Sequence, residues 1–364
     1  MACRTYTDLR GHRGTGAWLA QGYHGCRVKC MTSKTSFATG LFKISGLILL
    51  MFLAGTGYAA SDTKTEYASS VTVTILSSNL ADGAAIGEWG FSALVEVDGR
   101  CVLFDAGFHP QTVLRNAQAL KVDLSCVTDV VLSHFHGDHN GGLQSLLADL
   151  RAKNPDTMGR IHVAEGFFLS RRWPGAAENE EGNQMIAIRK ELEAANVEFI
   201  EYSAPTEILP AVWVTGPVTR THPEKTYPRA VKININGEWL VDYVPESQGL
   251  TIVTTDGPIV LLGCGHSGSV NLLEQVQGTI QDHSIHALMG GMHLFAADDQ
   301  TLGWTSDRLR DIGVQNLMAG HCTGIEPLMR LRTGLGLNRR TAVVGAVGSR
   351  FVYGEGIYPT RIAQ

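Results

Sequence analysis

Ser133-His134-Phe135-His136-Gly137-Asp138-His139-Asn140-Gly141-Gly142 is the stretch from which the rest of the chain is read. It closes the run Val127–Ser133 (VTDVVLS), which is apolar and β-rich and predicts a buried strand. As that strand ends, side-chain alternation throws His134 and His136 to one side and Phe135 to the other. Gly137 allows a sharp turn, so Asp138 and His139 come back towards the same space. Gly141 and Gly142 permit close backbone approach before a helix over Leu143–Leu150. Imidazole and carboxylate are the ligand types that zinc and other borderline divalent ions prefer. Two ligand pairs from one short loop suit two metal ions a few ångström apart. Four such residues between a strand and a glycine pair count against a merely solvated loop.

Working outward, the 364 residues are 44% hydrophobic and 18% charged, which excludes a disordered chain and a fibrous repeat. The net charge of -5 is uneven. Residues 1–60 hold seven Lys/Arg and one acid, Asp8, leaving a net of -11 over 61–364. An acidic body disfavours a phosphate backbone, so a small-molecule substrate is expected and nucleic acid is not. Residues 31–60 have the parts of a secretory signal peptide: Lys34 and Lys43, a short apolar run from Gly46 to Gly55, and small residues at Gly57, Ala59 and Ala60. The apolar run is short of the ~20 residues that span hydrocarbon, so no stable membrane anchor is expected after processing. Met31 stands where such a peptide starts, and residues 1–30 read as an over-extended N-terminus. Cleavage near Ala60 would export the protein to a periplasm or beyond, with 61–364 forming one domain.

Hairpins open that domain. Val71–Leu76 is followed by Phe91–Val97 and Cys101–Phe104, the latter two joined at Asp98-Gly99. A helix from Pro110 to about Lys121 follows Asp105-Ala106-Gly107. Past the His-rich loop come a strand (Ile161–Ala164), an irregular insertion (Phe167 to Asn183), a helix (Gln184–Ala195) and a strand (Val197–Tyr202). Strand pieces over 203–248 lead to a hairpin across Asp256-Gly257. Strand and helix then alternate to Met318, which predicts a layered α/β protein. Cys101 and Cys126 lie in apolar runs and read as small buried hydrophobes. Cys264 and Cys322 each lie within two residues of a Gly-flanked His.

Candidate partners for the loop lie downstream: His266 in Gly263-Cys264-Gly265-His266-Ser267-Gly268, His293 in Gly290-Gly291-Met292-His293, His321 in Gly320-His321-Cys322-Thr323-Gly324, and His222. The HxHxDH pattern of His134, His136, Asp138 and His139 resembles the signature of the metallo-β-lactamase superfamily. The resemblance implies a four-layer αββα fold with a metal centre at the edge of two sheets. It implies His134 and His136 on one metal, with His266 as its third ligand. Asp138 and His139 would hold a second metal, closed by His321. The cofactor is then a divalent metal, two zinc ions first, with iron or manganese as alternatives.

The GCGHSG, GGMHL and GHCTG segments resemble one branch, the dihydropterin-methyl-aminobenzene-phosphate synthase-like proteins. Hydrolases of the glyoxalase and lactamase kind carry a metal-bridging Asp where Cys264 stands here. Three readings stay open for Cys264: thiolate ligand, neutral packed thiol, or disulfide partner of Cys322. The inert thiol is preferred, because a lowered thiol pKa needs an electropositive setting.

The implied chemistry is hydrolysis of a small ester, lactone or phosphoester by metal-activated water. Asp138 would orient the nucleophile, and His293 or His222 would hydrogen-bond the leaving group or oxyanion. Asp105 is the strand-end carboxylate expected behind a histidine ligand. Phe167, Phe168 and Trp173 are expected to line an apolar pocket. The alternatives are a transferase of the synthase-like kind, redox chemistry at iron, and a non-catalytic metal-binding protein.

Overall fold

Within the strands, alternate side chains part into different apolar clusters. In Ser92–Val97, Ala93, Val95 and Val97 join one cluster and Leu94 another; in Arg100–Phe104, Val102 and Phe104 part from Cys101 and Leu103. In Ile259–Leu262, Ile259 and Leu261 part likewise from Val260 and Leu262. Strands apolar on both faces are covered on both faces, and the three clusters mark where the layers meet. The computed structural model describes residues 66–363 except 225, 228 and 229. The readings placed on 1–30 and 31–60 fall outside the described residues. No described helix is long and apolar enough to cross a membrane.

An eight-stranded sheet has the order Gly356–Tyr358, Arg350–Val352, Val71–Ser77, Ser92–Val97, Arg100–Phe104, Val127–Val131, Arg160–Ala164, Glu198–Tyr202. A seven-stranded sheet runs Ala342–Val344, Leu317–Ala319, Ala287–Gly290, Ile259–Leu262, Gly249–Ile252, Val212–Val214, Thr206–Leu209. One cluster, with Val73, Phe104, Leu250 and Leu261, lies between the sheets. Helices Thr112–Leu120, Leu143–Arg151 and Met185–Ala194 cover the outer face of the first sheet. Helices Ser269–Thr279, Asp299–Ile312 and Ile325–Gly334 cover that of the second. The architecture is the αββα arrangement of the α/β class.

Strand direction positions the site. Arg100–Phe104, Val127–Val131 and Arg160–Ala164 are parallel neighbours, as are Ile259–Leu262, Ala287–Gly290 and Leu317–Ala319. Parallel strands bring their carboxyl ends to one edge, where α/β folds place ligands. Asp105, the 133–139 loop, Cys264, His293 and His321 all lie just past those ends.

Several readings need correction. Cys101 and Cys126 are not two packed thiols but a disulfide. Cys101 is in register with Val127 on the parallel neighbour, which puts Cys126 beside it, a proximity that hydropathy does not encode. The 167–183 insertion is not wholly irregular: Arg171–Arg172 pairs with Lys232–Ile235, itself paired with Glu238–Val241, in a small third sheet. Beyond Met318, where no element was read, Ile325–Gly334 is a helix and Arg350–Val352 pairs with Val71–Ser77.

Candidate metal centre

Three ring nitrogens converge at one point. His134 Nε2 lies 2.9 Å and His266 Nε2 3.2 Å from His136 Nδ1. The partners of the other nitrogens fix the protons. Ser133 gives its hydroxyl proton to Asp105 Oδ2 at 2.7 Å, so His134 Nδ1–H donates to that hydroxyl oxygen at 2.9 Å. His266 Nδ1–H donates to the Thr226 carbonyl. Both Nε2 atoms therefore present lone pairs. With the proton of His136 on Nε2, which has no other partner, three lone pairs face one point, an arrangement that a cation would stabilise. A tetrahedral zinc with bonds of about 2.0–2.1 Å spaces its nitrogens about 3.3 Å apart, close to what is seen here.

A second set adjoins the first. Asp138 Oδ2 is 3.6 Å from His139 Nε2 and 3.3 Å from His321 Nε2. With the Cys264 sulfur, these ligand atoms all lie within 4.8 Å of one another. His139 Nδ1–H donates to Asp105 Oδ2 at 2.7 Å, and the Ser133 backbone N–H donates to Asp105 Oδ1 at 2.7 Å. Asp105 thus orients one histidine directly and another through Ser133, in both sets. Gly263 is required beside this network: a Cβ there would come within 1.9 Å of Ser133 Oγ. Asp105, His293 and His321 hold left-handed backbones, with φ of 58°, 49° and 49°. Non-glycine residues keep that conformation only where the surroundings over-determine it.

The structure brings His134, His136, Asp138, His139, His266 and His321 together. His293 stands at the rim, lining both a cavity of about 450 Å³ over the cluster and an adjoining one of about 660 Å³. His222 joins neither set: its Nε2 lies 2.8 Å from Glu274 Oε2 and its ring packs against Trp304. Phe167 is buried in the helix-side core and Phe168 packs on Phe199, so of the three expected pocket aromatics only Trp173 lines the site. Buried Phe135 lines it too, and three exposed rings stand beside Trp173 unforeseen. Trp89 lies 5.1 Å from the His321 ring, Phe295 5.2 Å from that of His293, and Phe108 lines the cavity. All four are 42–52% exposed, so they present ring faces to solvent at the mouth. Lone aromatics in loops leave no periodic trace in a sequence.

A family model of the metallo-beta-lactamase superfamily matches residues 90–280, which contain the 134–139 loop and His266. The chain belongs to the metallo-β-lactamase superfamily. Members typically bind divalent metals, and most are enzymes. This member is similar to the crystal structure of Tm1679, a metal-dependent hydrolase of the β-lactamase superfamily: TM-score 0.59 and 26% identity, covering 73% of this chain and 93% of that one. It is 26% identical to 7,8-dihydropterin-6-methyl-4-(beta-D-ribofuranosyl)-aminobenzene-5'-phosphate synthase of Methanocaldococcus jannaschii, over 65% of this chain and 81% of the relative. It is 28% identical to the uncharacterized protein MJ0448 of the same organism, over 71% of this chain and 93% of that protein.

The electrostatics of this superfamily member divide its histidines. Burial first, then neighbouring imidazoles, hold His134 and His266 well below the usual histidine range. Burial lowers His136 to about 3, against the pull of Asp138. Burial also opposes charge on His139, but Asp138 and Asp105 outweigh it and raise it to about 9. In the metal-free protein, the three lowered groups bind protons more tightly when unfolded. Their stabilisation is present above about pH 6.5 and is lost as pH falls, each by up to about 1.4 kcal/mol per pH unit. His139 has the opposite sign: its stabilisation is complete below about 6.5 and is lost as pH rises to about 9. Metal-free Tm is therefore expected to peak near pH 6.5 and fall more steeply on the acid side. A scan in chelator checks this; a flat profile would contradict it.

Asp105→Asn removes the charge that both ligand sets share. The expected result is a 10- to 100-fold loss of metal affinity, the usual effect of removing a carboxylate behind a ligand, roughly, in metalloproteins. Competition against a chromophoric chelator measures it, and unchanged affinity would show that Asp105 serves folding alone.

Proposed function

We propose that this protein is a metal-dependent hydrolase of small ester, lactone or phosphoester substrates. The observation that carries the reading is the convergence of two ligand sets at the floor of an aromatic-walled cavity. His134, His136 and His266 would hold one divalent cation, and Asp138, His139 and His321 the other, zinc being the ion that suits their donor atoms. Such ions polarise an electrophilic centre and make water nucleophilic near neutral pH. The remaining work falls to the chain. Asp138 lines the cavity and accepts a hydrogen bond from the attacking water through its free carboxylate oxygen, fixing its direction. His293, between the two cavities, hydrogen-bonds the departing oxygen. Trp89, Phe295 and Trp173 exclude water and hold an apolar substrate body.

Likeness to a synthase favours a second reading, condensation of a pterin alcohol diphosphate with an aminobenzoate-derived acceptor, the bond to the acceptor forming as the bond to pyrophosphate breaks and pyrophosphate leaves. Export argues against it, because such intermediates are scarce outside the cell. The Cys101–Cys126 disulfide supports export, since such bridges persist in oxidising compartments.

The test is a screen of lactone, thioester, phosphoester and β-lactam substrates on metal-analysed protein. The reading predicts hydrolysis of one class, abolished by chelator and restored by zinc. Stoichiometric metal without chelator-sensitive hydrolysis overturns it, and condensation of the pterin pair would establish the second reading.

A further inference from the structure

A cavity of about 660 Å³ adjoins the one over the ligand cluster, and His293 lines both. The chain holds this partition in place. His293 donates its backbone N–H at 3.3 Å to the sulfur of Cys322, a free thiol like Cys264. Met292 donates likewise to Thr323 Oγ1 at 3.0 Å, and Phe295 to the Cys322 carbonyl at 3.2 Å. His293 Nδ1 is buried and has no hydrogen-bond partner among the described residues, which leaves it for a bound molecule. With the departing oxygen at that imidazole, the second cavity lies on the leaving-group side of the reacting centre.

The lining of this cavity selects a shape and a charge. Tyr227, Phe295 and Trp304 bring three aromatic rings to it, which favours a flat ring system over a puckered one. Glu224 accepts the backbone N–H groups of Val270 and Asn271 at the start of helix Ser269–Thr279. Asp298 accepts that of Thr301 at the start of helix Asp299–Ile312. A helix N-terminus is a ready site for an anion. Here the chain's own carboxylates, both on the cavity wall, take that place at two helices, so a phosphate or carboxylate on the leaving group meets repulsion.

Resting on the hydrolase reading, we propose that this cavity is the leaving-group pocket, and that the substrates are esters or phosphoesters of uncharged aromatic alcohols. The water oxygen bonds to the carbonyl carbon or phosphorus as the bond to the aryl oxygen breaks. One proton of the water goes to the aryl oxygen, which leaves into the pocket as the neutral alcohol, and the other goes with the acid.

Calorimetry on zinc-loaded protein reads binding of 2-naphthol, decahydro-2-naphthol and 6-hydroxynaphthalene-2-sulfonate, which share a skeleton and differ in flatness or charge. 2-Naphthol should bind and the other two bind roughly tenfold more weakly, as should 2-naphthol to Trp304→Ala but not to Trp304→Phe. Trp304→Ala should also cut kcat/KM for a 2-naphthyl ester about tenfold more than for the methyl ester of the same acid, which does not reach the pocket. A crystal soaked in 6-bromo-2-naphthol needs no variant, and its bromine should give an anomalous peak against Phe295 and Trp304. Equal binding of the three alcohols, equal loss on the two esters, or bromine only elsewhere overturns the proposal while chelator-sensitive hydrolysis stands. Protein that holds bromine in this cavity and hydrolyses no substrate class overturns the hydrolase reading, and the leaving-group role with it.

Discussion

His266→Ala is expected to lower bound zinc from two equivalents to one and to cut kcat/KM roughly 10³-fold, because Lewis-acid stabilisation is worth several kcal/mol and each 1.36 kcal/mol is tenfold. The reasoning is geometric. His266 is the member of its set that comes from the second sheet, following the strand Ile259–Leu262. Without it, His134 and His136 leave one cation with two ring nitrogens from one loop. The imidazole is fully buried and its Nδ1 proton is committed to a carbonyl, which aims Nε2 at the cluster. His222→Ala is the matched control. Its ring pairs with Glu274 away from the cluster, and metal content and activity should stay within about twofold, as for a surface change that leaves the site alone. Equal metal content in both variants would contradict the assignment of the first set.

Arg171→Ala is expected to cost about 3–5 kcal/mol, the usual result of stranding one side of a buried ion pair. Over a chain of this size, that lowers Tm by roughly 6–15 °C. Arg171 is fully buried. It donates through Nη2 to Glu246 Oε2 at 2.6 Å, through Nε to Asp242 Oδ2 at 3.3 Å, and through Nη1 to the carbonyls of Gly166, Phe167 and Leu169. Its guanidinium also lies 4.3 Å from the Phe135 ring centroid, so it braces the loop that carries His134 and His136. Burial already raises Glu246 to about 7 despite the arginine beside it. Without that arginine, two carboxyl groups stay buried with no cation. Neutralising them together, with Asp242→Asn and Glu246→Gln added to Arg171→Met, should recover part of the loss. Thermal unfolding of both variants measures this. A single variant as stable as the parent would mean that the pair contributes nothing.

What the sequence disclosed followed period and punctuation. The strand before Ser133 and the glycines that turn the loop are local, and the structure has both, but the strand ends at Val131 and the alternation does not carry through His136: Phe135 joins the cluster of Leu132 and lines the same cavity as His136. Asp105 was legible because a carboxylate after a strand and before Gly107 sits at a sheet edge. The same holds for His266, His293 and His321, each following a strand and flanked by or near glycines. The rest depends on distant pairing. Arg350–Val352 is three residues long and becomes a strand only against Val71–Ser77. The Cys101–Cys126 bridge depends on which strands are neighbours. Phe167 and Phe168 looked like pocket lining because their segment is irregular, yet Phe167 faces the helix layer. His222 looked like its fellow histidines until Glu274 was placed beside it.

Anomalous scattering at the zinc absorption edge, from a crystal of zinc-loaded protein, tests the central claim most directly. Two peaks are predicted: one against His134 Nε2, His136 Nδ1 and His266 Nε2, the other against Asp138, His139 Nε2 and His321 Nε2. Zinc bound only elsewhere, with those six side chains unligated, would contradict the account.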